Sequence, residues 1–155
     1  MTFPIPVTRA QPLSESECEA LRVVVGAMIP ASAEYGVPGA DDERIFADIV
    51  ASVGRDLPAL RAALVELDRL AGGSLAAARA DVQAEAIASF RDRHRALVPP
   101  LVALTTRCYY RDDRVMRAIG MEVRSPYPQG FEVEQGDWSL LDPVRERGPI
   151  WRPAP

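Results

Sequence analysis

The chain has 155 residues, 48% hydrophobic and 26% charged, the values of an ordinary globular protein of one domain with enough apolar material for its own core. Its formal net charge of -4 weighs against broad attraction to nucleic-acid phosphates. All 18 basic residues are arginine, so Schiff-base chemistry and a P-loop lysine are excluded.

The N-terminus, MTFPIPVTRAQPLS, has no basic n-region, apolar h-region or twin arginine, so no secretory leader is expected. No apolar run approaches the roughly 18 residues of a membrane span. A cytoplasmic protein is the expectation. A first helix is predicted from Ser14 or Ser16, because Ser14 with Glu17 and Ser16 with Glu19 both have capping-box spacing. Leu21, Val24, Val25 and Met28 recur at helical spacing, and Pro30 ends the run. Residues 31–40 hold Gly36, Pro38 and Gly39 and read as a loop.

Asp41 or Asp42 is the predicted cap of a second helix with Ile45, Phe46, Ile49, Val50 and Val53 on one side, broken by Gly54. Asp56 is the predicted cap of a third, with Pro58 in its first turn. Leu57, Leu60, Leu64, Leu67 and Leu70 form its leucine stripe, a core-facing pattern that stops at Gly72-Gly73. Ser74 and Asp81 offer caps for a short helix and a longer one, the latter over residues 82–95 with Ile87 and Phe90 as anchors. Pro99-Pro100 then restarts a fifth helix carrying Leu101, Leu104, Thr105, Cys108 and Tyr109. A short helical turn over residues 115–119 follows Asp112.

From residue 121 the pattern changes. The last 35 residues hold six prolines, Pro126, Pro128, Pro143, Pro149, Pro153 and Pro155, and no sustained helical or strand period. They also hold Tyr127, Phe131, Trp138 and Trp151, whereas disordered tails are poor in aromatic residues. The expectation is an all-α chain: an N-terminal extension over residues 1–13, a compact bundle of about five helices over 14–120, and an extended Pro/aromatic-rich arm over 121–155. Prolines on both sides of Tyr127 pre-set an extended backbone and lower the entropy lost on docking.

Catalytic signatures are sparse. His94 is the only histidine and sits in the charge run Arg91-Asp92-Arg93-His94-Arg95, which suits a helix C-terminus. GxSxG, GxGxxG and GxxxxGK[ST] do not occur. Cys18 and Cys108 match no metal spacing and read as small hydrophobes, with a disulfide as the alternative. No catalytic, cofactor-binding or metal-ligating residue is assigned. Tyrosine, tryptophan and arginine are the residue types that dominate binding hot spots, and the arm concentrates them, with Arg145, Arg147 and Arg152 beside its rings. The predicted partner interface is Tyr109, Tyr110, Tyr127, Pro128, Phe131, Trp138, Arg145 and Trp151.

The order of these features resembles the gluconate 2-dehydrogenase subunit 3 family. The features that carry the resemblance are Ile29-Pro30, Gly39-Ala40, the leucine-rich third helix, the run from Leu104-Thr105 to Tyr109-Tyr110, the proline-tyrosine-proline arm and Trp138-Ser139-Leu140-Leu141-Asp142-Pro143. The resemblance spans residues 21–152. It implies an all-α accessory subunit docked on a larger FAD-dependent oxidoreductase of the glucose–methanol–choline class, with FAD and catalysis in the partner. Exported members carry a twin-arginine leader, which the first residues here lack, and that favours a cytoplasmic complex. Two alternatives stand beside it: a helical scaffold or regulatory protein, and a small helical enzyme using His94, Tyr109, Tyr110 and nearby arginines.

Overall fold

The first helix begins where its cap dictates. Ser14 is extended, its hydroxyl accepts from the Glu17 amide at 3.2 Å, and the Glu17 carboxylate accepts from the Ser14 amide at 2.7 Å, closing a reciprocal capping box. In the computed structural model, which describes residues 13–125, 127–130, 132, 135–148 and 151, this helix is α1, Glu15–Met28. The chain divides into two units, Met1–Val123 and Arg124–Pro155.

The first unit holds α1, α2 (Glu43–Ala51), α3 (Leu57–Leu70), α4 (Ala80–Arg93), α5 (Val98–Tyr109) and α6 (Asp113–Ala118). The all-α expectation holds: among the described residues there is no strand, and one isolated bridge joins Ser32 to Val37. Asp42 caps α2 by accepting from the Arg44 and Ile45 amides, which selects it over Asp41. Val53 lies beyond the end of α2, yet is buried. Asp56 does not cap α3. A 3-10 turn over Gly54–Asp56 leads straight into the helix, and Asp56 already has helical dihedrals, so its carboxylate makes no cap hydrogen bond.

Two further expectations need correction. Ser74 opens no helix; residues 75–77 form a turn, with the Ala77 amide donating to the Ser74 hydroxyl at 3.3 Å. Asp81 is not the cap of α4 but lies in its first turn, where a carboxylate favours the positive end of the helix dipole. The double proline starts α5 as expected, since residues in the first turn have no intrahelical acceptor to lose.

The leucine stripe puts α3 at the centre, where it touches α1, α4 and α5, while α2 packs on α5. Leu60, Leu64 and Leu67 are almost wholly buried, joined in one core by Leu21, Val25, Ile45, Ile49, Leu75 and Leu104. Two glycines allow tight local geometry. A Cβ on Gly39 would stand 2.3 Å from Asp41 Oδ1 and 2.9 Å from the Ala31 nitrogen. Gly120, at φ +77°, closes α6: its amide donates to the Arg117 carbonyl and the Met121 amide to the Met116 carbonyl.

In the second unit, residues 127–129 form a turn with a cis Tyr127–Pro128 bond. A 3-10 turn, Trp138–Leu141, runs into a short helix α7, Asp142–Glu146. The expected extended arm is therefore helical over this stretch: Asp137 caps the turn by accepting from the Ser139 amide at 3.0 Å, and Pro143 sits in the first turn of α7. Phe131 and Arg152, and the prolines at 126, 149, 153 and 155, lie outside the described residues. No helix of the described residues is long and apolar enough to cross a membrane.

Candidate docking surfaces and their electrostatic frame

The second unit exposes the side chains that a protein normally hides. Trp138 is 62% exposed, Trp151 69% and Tyr127 86%, and Leu140, Leu141 and Val144 are exposed as well. Trp138, Leu141 and Val144 recur every three residues along the 3-10 turn and α7, the spacing of one helical face. The polar handle of Trp138, its indole N–H, donates to Gln135 Oε1 at 3.4 Å. Arg145 is held beside this face by a 2.9 Å hydrogen bond to Asp142 Oδ1. Pro128 is exposed too.

The first unit carries its own apolar cleft, of about 280 Å³, where the end of α1, the 31–37 loop, the end of α5 and α6 meet. Ile29, Val37, Val115 and Ile119 line it, and Tyr35 and Tyr110 frame it. Tyr35, Tyr110, Ile119 and Met121 are all at least half exposed. Sequence reasoning reached Tyr110 and missed the other three. Tyr35 sits in a segment read only as loop, and Ile119 and Met121 flank the glycine that ends α6, so no periodicity marked them.

Tyr109 does not lie on the surface. Expected at an interface, it is 3% exposed, its hydroxyl donates to the Pro38 carbonyl at 3.0 Å, and its ring meets Tyr110 edge-on at 5.3 Å. Burial pushes its phenol pKa above the ordinary value. Tyr110, the C-cap of α5, is 52% exposed, so of the two rings it is the one open to a partner.

An arginine–aspartate frame surrounds the junction of α2, α5 and α6. Arg114 forks onto two carboxylates: its Nη2 donates to Asp42 Oδ1 at 2.6 Å and its Nε to Asp112 Oδ1 at 2.9 Å. Arg111 holds Asp48 through Nε at 2.6 Å and through a second, shorter bond from Nη2, and Nη2 also donates to Ser52 Oγ at 2.6 Å. Hydrogen bonds from Arg114 hold Asp42 and Asp112 below the usual carboxylate pKa, and those from Arg111 do the same for Asp48. These depressed values set a pH dependence. Above the unfolded pKa of about 4 the three carboxylates are ionised and the frame contributes fully. As pH falls through the lower folded values, the unfolded chain binds more protons and that stability is lost. Denaturant midpoints should therefore be level from about pH 5 to 8 and fall steeply below about pH 4. In Arg114→Met the acid side should be visibly flatter, and an unchanged profile would count against the frame.

Beside Arg111 lies Cys108, 1% exposed, its thiol directed at the Asp48 carbonyl at 3.8 Å and its pKa raised by burial. Cys18 is half-buried, and both cysteines are free. His94 ends α4 as its C-cap, stacks on Phe90 at 5.5 Å and approaches Glu66 at 3.6 Å. A second cleft, of about 710 Å³, lies between α1 and α4 and is lined by Gly26, Ala27, Ala77, Ala80 and Ala84 with Arg22 at its edge. His94 lines neither of these clefts, nor the small one around Arg111. Among the described residues no cluster of three or more histidine, cysteine, aspartate or glutamate side chains has the arrangement of a metal site.

Fold and surfaces together define an all-α protein with exposed apolar faces. No protein-family model, curated protein or solved structure matches the chain.

Proposed function

We propose that this chain is a non-catalytic small subunit that binds and stabilises a larger FAD-dependent dehydrogenase of the glucose–methanol–choline type, acting on a sugar or alcohol. The observation that carries the reading is the exposure of both tryptophans, with Leu140 and Val144, on a chain whose helical core is complete without them. Rings and branched side chains left in water at this density are the mark of a surface used by another protein. The choice of a flavoprotein rests on the sequence resemblance to the gluconate 2-dehydrogenase subunit 3 family. In this reading the flavin and the chemistry belong to the partner, and the complex is cytoplasmic. An interface of standard size buries about 1,600 Å² in total, of which the exposed C-terminal unit would supply this chain's share.

The test is co-expression with a glucose–methanol–choline-type flavoprotein encoded beside this chain, followed by affinity capture. A yellow complex that retains the flavoprotein is expected. Residues 1–123 alone should keep their helicity and capture little or none of it. A colourless chain, with a flavoprotein fully active and stable by itself, would overturn the proposal. The scaffold alternative predicts instead a chain that never retains a flavoprotein.

A further inference from the structure

We propose that α6 is a hinged flap forming one wall of the apolar cleft, and that the Arg114 fork is the latch that holds it shut. Asp42 caps α2 and Asp112 caps α6. Arg114 grips both caps at once, with Nη2 and Nη1 on Asp42 at 2.6 and 3.2 Å and Nε and Nη2 on Asp112 at 2.9 and 3.1 Å. One guanidinium, 72 positions along the chain from Asp42, therefore ties the N-termini of two helices together. Bidentate arginine–carboxylate pairs fix orientation as well as distance, and lysine does not reproduce that geometry.

Little else holds α6. It is six residues long and buries one side chain, Val115. Among the described residues, the other backbone hydrogen bonds of the 112–121 segment are local, among them the Asp112 amide to Tyr109, Met116 to Asp112, Ile119 to Val115, Gly120 to Arg117 and Met121 to Met116. Arg44 adds an ion pair to Asp112 at 3.8 Å, but its own side chain is 69% exposed. The segment is bounded by the turn after Tyr110 and by Gly120, whose positive φ suits a pivot. Val115, Ala118 and Ile119 face the cleft from α6, so moving the helix removes that wall. That the cleft receives a partner rests on the proposed function; that α6 opens as a unit does not.

Hydrogen exchange on the free chain separates the two. In Arg114→Met, amides of Met116, Ile119 and Met121 should exchange about tenfold faster or more, while those of Leu64 and Leu67 in α3 keep their protection. Arg114→Lys should lie between this variant and the parent. Unchanged protection of α6 would overturn the flap. So would an equal rise in α3, which would make the fork a brace for the whole bundle. If Arg114→Met does not fold, Arg114→Lys is read by the same comparison, with the same two outcomes deciding.

Discussion

Replacing Trp138 by alanine is expected to weaken binding to the proposed flavoprotein partner by about 2–4 kcal/mol, roughly thirty- to a thousandfold in Kd. The ring is 62% exposed and stands at the start of the face continued by Leu141 and Val144. Its removal leaves no cavity in this chain's core, so the thermal midpoint of the free subunit should not move. That pairing of large loss in affinity with no loss in stability is what distinguishes an anchor from a core residue. Val65→Ala is the matched control: Val65 is 65% exposed on α3, within the other unit, and should change neither quantity by more than about 0.5 kcal/mol. Titration of the purified flavoprotein, read by flavin fluorescence or calorimetry, measures the effect. Equal affinity of Trp138→Ala and parent would remove this face from the interface.

The second large effect lies at the centre of the bundle. Leu64 is 2% exposed on the helix that touches α1, α4 and α5, so Leu64→Ala leaves a void in the core. The lost transfer energy and the unfilled cavity together should cost about 2–5 kcal/mol. For a domain of this size each kcal/mol moves the midpoint by about 3–4 °C, so the change is read directly by thermal melting. Val65 is its immediate neighbour in sequence and points to solvent. The contrast between Leu64→Ala and Val65→Ala therefore tests the register of the stripe, and similar losses from both would refute it.

Much of the helical unit was legible in the sequence. The Ser14–Glu17 box and Pro99-Pro100 act within one turn of helix and the leucine stripe through repeats of three and four residues, so local spacing alone predicts where α1, α3 and α5 lie. The exceptions follow the same logic. Asp56 has a capping residue type in a capping position, but the 3-10 turn before it had already turned the backbone helical. The stretch after Trp138 reads as extended because its prolines dominate the pattern, although Pro143 sits where a helix tolerates one.

Residue types and their local spacing determined that this chain is helical, where its core stripe lies, and that its rings gather near the C-terminus. Tertiary structure alone decided which rings are used up. Tyr109 and Tyr110 are neighbours of identical chemistry, yet one bonds to Pro38 inside the fold and the other frames an open cleft. It alone brought Arg114 to Asp42 across 72 positions, because an ion pair between distant segments depends on how helices pack and leaves no periodic trace in the chain.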